Sequence, residues 1–337
     1  MKKIGKIIVT LFASVSLFSS VSAGELTVTG TAKATYNILS GWSSVGKGIG
    51  VANEIDFGAN GELDNGWSWN YQVQFDPGNT AASTGGSNGQ VDDSRLTVTT
   101  NYGTLGIFVS EGGLDVDNAA SQSVYGRPTD IGIASGMVDG AGIDSFNNLQ
   151  YHTPAGVLPF ETTVKAAYAT GQQTGMNSSN ARGNATNTYG RTAEQYQITA
   201  VPMDGLKVNA DYYKENDAES FVVQQFESGS ISGSYDAGPF SVGASRTLRA
   251  PLIQAASGTT TVITNTGTGA GNTASARLYT STKGSIAFNV NDALSVSYEM
   301  EKSERELIAQ TAENDIEAQA IQAAYTMGGM TMALSYG

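Results

Sequence analysis

Residues Trp67 to Asp76 read WSWNYQVQFD. Trp67, Trp69, Tyr71, Val73 and Phe75 alternate with Ser68, Asn70, Gln72, Gln74 and Asp76, so a strand built from them has one apolar and one hydrophilic face. A single strand of this kind fits a half-buried sheet in a water-soluble protein. Here the alternation recurs along nearly the whole chain. From Leu26 to Tyr36, Leu26, Val28, Ala32, Ala34 and Tyr36 oppose Thr27, Thr29, Thr31, Lys33 and Thr35. Next, Ile55, Phe57, Ala59 and Leu63 oppose Glu54, Asp56, Asn60 and Glu62. The turn Asp64-Asn65-Gly66 then leads into the opening strand, as hairpin chemistry requires.

Repetition on this scale predicts an all-β, transmembrane antiparallel β-barrel. The 337 residues are 40% hydrophobic, enough for a sizeable soluble core. Their distribution excludes spanning by helices, because beyond the N-terminus no apolar run approaches the ~20 residues a transmembrane helix needs. Aromatic residues sit at both strand ends. Trp67 and Phe75 are eight residues apart, and at ~3.3 Å per residue and a tilt of about 40° this spans ~20 Å, close to the ~25 Å apolar band of a barrel.

Residues 1–23 read as a secretory signal peptide: Lys2, Lys3 and Lys6, an apolar stretch from Ile7 to Phe18, and Val21-Ser22-Ala23 before the cleavage point. The barrel domain is then 24–337. There is no cysteine, so a closed hydrogen-bonded sheet rather than disulfides must stabilise the exported chain. Removing the three leader lysines takes the formal charge from −13 to −16, which argues against a nucleic-acid partner and for attraction of cations.

Short turns and long polar connections alternate, as in a barrel with tight turns on one side of the membrane and loops on the other. Seven of each join fifteen strands, whereas bacterial single-chain barrels have even numbers. The expectation is therefore a barrel of sixteen strands, with the C-terminal strand missing after Met330 to Tyr336.

With these features in place, the sequence resembles the general bacterial porins, in particular those of alphaproteobacteria. The likeness rests on LTVTGTAKATYN (Leu26 to Asn37), DNGWSWNYQVQFD (Asp64 to Asp76), NYGTLGIF (Asn101 to Phe108) and NNLQYHTP (Asn147 to Pro154). It implies a sixteen-stranded, usually homotrimeric barrel in the outer membrane, surrounded by lipid and lipopolysaccharide, with an inward-folded third loop. The chain departs from the family pattern in ending at Gly337 without a terminal aromatic residue. It also lacks a basic residue in GTLGIFVSE (Gly103 to Glu111), which puts a dense arginine ladder in doubt.

The segment from Gly112 to Ser145 holds the position of that third loop and carries Asp115, Asp117, Asp130, Asp139 and Asp144 against Arg127 alone. An acidic loop folded into a lumen would favour cations by field focusing. Lys33, Arg95, Lys165, Lys207 and Lys283 share the inward phase of the strands, so opposed charges across the lumen would set up a transverse field. Glu54, Asp56, Glu62, Asp93, Asp211, Glu299 and Glu301 share that phase and keep the lumen acidic. The expected function is passive diffusion of ions and small hydrophilic solutes, with a weak cation preference. A substrate-selective porin and a structural or adhesive barrel are the alternatives.

An enzyme would have to use His152, the sole histidine, and nothing else marks a nucleophile. No cofactor is expected. The pairs Asp115/Asp117 and Glu313/Asp315 have the oxygen chemistry for a structural Ca²⁺.

Overall fold

The computed structural model describes residues 26–37, 48–76, 90–109, 113–130, 137–143, 147–169, 192–216, 222–255, 262–265, 276–307, 315–328 and 330–337. The leader at 1–23, Asp144, Glu313 and the side chain of Lys33 lie outside the described residues. The chain divides into two compact units, residues 1–111 and 112–337.

In the first unit, β1 (Leu26–Asn37), β2 (Gly48–Glu62), β3 (Ser68–Asp76), β4 (Gln90–Thr100) and β5 (Gly103–Val109) pair in chain order, each antiparallel to the next. The Asp64-Asn65-Gly66 turn forms where expected. Gly66 sits at φ +79°, a conformation that favours glycine, and the Asn65 side chain accepts a 3.1 Å hydrogen bond from the Trp67 N–H. On one face Tyr71 registers with Leu96 and Leu96 with Ile107. On the other, Gln72 donates to Asp56 at 3.1 Å and accepts from Arg95. The period-two phase read from WSWNYQVQFD is the phase of the folded strand.

The second unit carries β6 (Asn148–His152), β7 (Thr163–Ala169), β8 (Thr192–Met203), β9 (Leu206–Asn216), β10 (Val222–Gln224), β11 (Glu227–Ala237), β12 (Phe240–Ala250), β13 (Ile253–Ala255), β14 (Val262–Asn265), β15 (Ala276–Asn289), β16 (Leu294–Leu307), β17 (Ile316–Met327) and β18 (Met330–Tyr336). Ten of these form an antiparallel sheet in the order β6-β7-β8-β9-β11-β12-β15-β16-β17-β18, and β10-β13-β14 form a small sheet of their own. With the five strands of the first unit, this gives the fifteen long strands expected. The three short strands β10, β13 and β14 were not among the strands expected from the sequence.

Burial in the second unit is inverted relative to a water-soluble sheet. On β16, Glu299 is 1% exposed and its apolar neighbour Met300 is 46% exposed; on β17, Gln322 is 1% and Ile321 is 62% exposed. The face carrying Ser297, Glu299, Glu301 and Ser303 is covered, while Tyr298 and Met300 point outward. Exposed apolar residues along consecutive strands make a patch that water does not tolerate and hydrocarbon does. What covers the hydrophilic face is the segment between β5 and β6.

Candidate functional site

The described residues between 113 and 147 have almost no regular secondary structure, so their backbone N–H groups must find partners outside a ladder. The strands supply them as side-chain oxygens. Gln122 and Val124 donate their N–H groups to Ser285 and Ser297 at 3.0 Å each, and Tyr125 donates to Gln322 at 3.0 Å. Further along, Val138 donates to Ser303 at 3.0 Å, Ala141 to Ser228 at 3.1 Å and Ile143 to Gln195 at 2.8 Å. Glu299 accepts from Ser121 and Ser123 at 2.5 Å each, and Gln197 donates to the Leu114 carbonyl at 2.9 Å. The loop therefore lies along the inner face of β8 to β17. Its close approach is clearest at Gly243, where a Cβ would stand 1.7 Å from the Ala120 carbonyl oxygen.

Charge is concentrated where the loop doubles back. Lys283, on β15, donates to Asp117 at 2.9 Å and to Asp139 at 2.6 Å. Arg127 grips Asp130 with two bonds of 2.8 and 3.0 Å, reaches Asp139 at 3.2 Å, and lies 3.5 Å from Glu301. A two-bond guanidinium–carboxylate pair of this kind fixes orientation as well as position. Arg249 donates to the Asp139 carbonyl at 3.3 Å and stacks over Phe226 with 5.0 Å to the ring centroid. Sequence reasoning did not single out Arg249. Nor did it single out the serine and glutamine acceptors, whose one signal was their shared inward phase.

Burial opposes the charge on Asp139, yet the bond from Arg127 and the nearby Lys283 prevail and hold its pKa at about 2. Arg127 is itself pulled up by Asp130 and Asp139, against a desolvation that acts the other way. Asp115 goes in the opposite direction. Burial and the adjacent Asp117 raise it to about 8, with Asp211 adding to the effect. The second oxygen of Asp117 is wholly buried and has no hydrogen-bond donor among the described residues, and a proton on Asp115 would supply one.

This has a pH consequence. A carboxyl whose folded pKa stands above its ordinary value of 3.8 binds more protons folded than unfolded, so its contribution to loop attachment falls as pH rises from about 4 to about 8. Asp139, held low, contributes stability above its ordinary value that is lost as pH falls from about 4 to about 2. In Asp115→Asn the amide still donates to Asp117, and the alkaline decline should disappear. Thermal unfolding midpoints at pH 5 and pH 8 check it: they should differ less in the variant than in the unaltered protein.

Of the loop residues picked from the sequence, Asp115, Asp117, Arg127, Asp130 and Asp139 converge. Lys283 meets them directly. The expected field between opposed charges across open space is thus corrected at this point: Lys283 and the loop carboxylates are in contact, and their fields partly cancel. Among the wall residues, Asp56 and Arg95 are joined through Gln72 in the first unit, and Glu54 is half-buried there. Lys165 and Lys207 lie on β7 and β9. The His152 ring shares a 2.8 Å hydrogen bond with Gln150. Asp315 pairs with Lys302 at 3.0 Å, and among the described residues no group of three carboxylate or imidazole side chains is arranged to hold a metal.

A family model described as Gram-negative porin matches residues 10–337. No curated protein sequence matches the chain. Among solved structures, OmpF of Salmonella typhi in complex with daunomycin is 14% identical, with 93% of this chain and 90% of that one covered at a TM-score of 0.64. The anion-selective porin from Comamonas acidovorans is 11% identical, covering 92% and 87% at 0.60. OmpT of Vibrio cholerae in its trimer form is 14% identical, covering 94% and 89% at 0.54. The shared property is the fold, an antiparallel porin β-barrel.

Proposed function

Because the chain belongs to the Gram-negative porin family, and is thereby an outer-membrane channel protein, we propose that it is a general diffusion porin with a weak preference for cations. The observation that carries this reading is the loop cluster. Two cations, Arg127 and Lys283, face four carboxylates, Asp117, Asp130, Asp139 and Glu301. Asp130 and Asp139 keep side chains 57% and 39% exposed while paired, so the cluster's net negative charge faces water. Rings of such carboxylates favour cations at narrow passages. Ions and small hydrophilic solutes would pass without a binding cycle. Residues 1–23 would direct export. Assembly as a homotrimer is supported by the trimer form of the Vibrio cholerae OmpT, and the outward apolar face would meet outer-membrane lipid and lipopolysaccharide.

Reversal potentials across a salt gradient test the reading. The unaltered channel should prefer cations. Replacing Asp115, Asp117, Asp130 and Asp139 together by Asn should move it toward anions, with most of the shift already present in the Asp130→Asn/Asp139→Asn pair. Raising the salt from 0.1 M to 1 M should shrink the difference, because the Debye length falls from ~10 Å to ~3 Å. Anion preference in the unaltered channel would remove the loop as the selectivity element.

A further inference from the structure

The outer face of the second unit carries a cation where hydrocarbon is expected. Ser245 and Thr247 are buried on the covered inner face of β12, so Arg246 between them points outward, in phase with Val242, Ala244 and Leu248. It registers with Ile231 on β11 and Thr282 on β15, and its diagonal neighbours on those strands are Gly229, Gly233, Thr280 and Gly284. None of these residues carries a charge. Lys214, Arg277 and Lys302 pair with Glu227, Glu306 and Glu304, whereas Arg246 makes no ion pair among the described residues. Arg246 is six residues from Phe240, at the short-turn end of β12. At ~3.3 Å per residue and a tilt of about 40°, that places it ~15 Å into an apolar band of ~25 Å.

Beside Arg246 the outer face is hollow. Ile198, Val208, Ala210, Ile231, Gly233 and Ala244 line an open groove of about 550 Å³, and Arg246 lines it with them. By register, Ile198, Ala210, Ile231 and Arg246 form one row, and Val208, Gly233 and Ala244 the next toward the short turns. The guanidinium therefore borders the groove on its long-loop side, and the apolar floor runs from it toward the middle of the band. The volume falls in the ~300–1,000 Å³ range of ligand pockets. A charge on the lipid side of a strand is unfavourable unless it finds a counter-charge or water. Nothing on the neighbouring strands supplies that counter-charge, so it must come with the molecule that fills the groove.

We propose that this groove seats one acyl chain of an anionic phospholipid, whose phosphate accepts hydrogen bonds from the Arg246 guanidinium. The chain matches the apolar lining, and the phosphate suits a planar donor that can give two parallel bonds. A headgroup without an ammonium fits best, because no carboxylate among the neighbours of Arg246 would hold one. The proposal rests on the outer-membrane placement for the surrounding hydrocarbon. It is independent of what passes through the channel, since neither the lumen wall nor the loop takes part.

Native mass spectrometry of the whole folded protein, stripped of lipid in detergent and titrated with phosphatidylglycerol, tests the site. One lipid per chain should be retained at the lowest lipid concentrations. Arg246→Gln should weaken that retention about tenfold, and Arg246→Lys by less, since the ammonium keeps the charge and loses the two-bond geometry. A Cβ on Gly233 would meet only ordinary contacts, 3.5 Å from the Lys207 carbonyl oxygen and 3.8 Å from Val208. Gly233→Leu can therefore fill the groove with Arg246 left in place, and it too should weaken retention about tenfold. Glycerol phosphate, a headgroup without a chain, should not compete. Equal retention by the unaltered protein and both variants, equal retention of uncharged diacylglycerol, or preference for lipid A over phosphatidylglycerol overturns the site. So does a Gly233→Leu protein that loses its oligomer and keeps its lipid, which assigns the groove to a second copy. Current steps in potassium chloride should be the same in the unaltered protein and the variants, and their absence from all of them sinks the channel reading alone.

Discussion

Lys283→Met should loosen the loop from the wall at the cost of about 3–5 kcal/mol of attachment, the usual result of removing one partner from a buried ion pair. Lys283 and Asp117 are both almost fully buried, at 2.9 Å, and Lys283 also holds Asp139 at 2.6 Å. Methionine fills a similar volume without a charge. Asp117 would then be left buried with the Gly140 N–H, at 3.0 Å, as its remaining donor apart from Asp115. Adding Asp117→Asn should recover part of the loss, since the orphaned charge goes with it. Chymotrypsin cleavage after Tyr125 is the readout. It should be fast in Lys283→Met and slower in the double variant. Equal cleavage in the unaltered protein and Lys283→Met would show that the ion pair does not hold the loop.

Gly243→Val should displace the same loop by steric force. The Cβ position lies 1.7 Å from the Ala120 oxygen and 2.8 Å from its carbonyl carbon, both backbone atoms that no rotamer change can move. Overpacking typically costs about 1–3 kcal/mol, and here the neighbouring attachments Gln122 to Ser285 and Ser285 to the Ala120 carbonyl must break as well. A loop pushed off the wall moves into the lumen, so single-channel current should fall and flicker. Unlike the Lys283 effect, this one should not depend on salt. Unchanged, quiet conductance in Gly243→Val would contradict the loop position.

The period-two reading carried over because the phase of a strand needs only local sequence. Tyr71 and Gln72 lie on opposite faces for the same reason that Met300 and Glu299 do. The loop was legible as a long acidic connection in the right place, yet its charge pairing was not. Alternation fixes which way Lys283 points, and it carries no information on how close Asp117 comes. Ser285, Ser297 and Ser303 looked like ordinary lumen residues. Their role as acceptors for Gln122, Val124 and Val138 exists only once a backbone without a ladder is laid over them. The strands β10, β13 and β14 escaped notice because three or four residues are too few to show a period. The raised pKa of Asp115 was invisible too, since it follows from burial beside Asp117 rather than from the Asp-x-Asp pattern.

This chain should form a water-filled passage through a bilayer, lined by its hydrophilic face and narrowed by the loop on that face. Insertion of the purified, folded protein into a planar lipid bilayer decides this. The prediction is discrete current steps that are linear in small voltages, grow in proportion to salt concentration, and reverse at a potential set by a modest cation preference. Protein that inserts with its strands intact and yields no current steps at any salt concentration would contradict it.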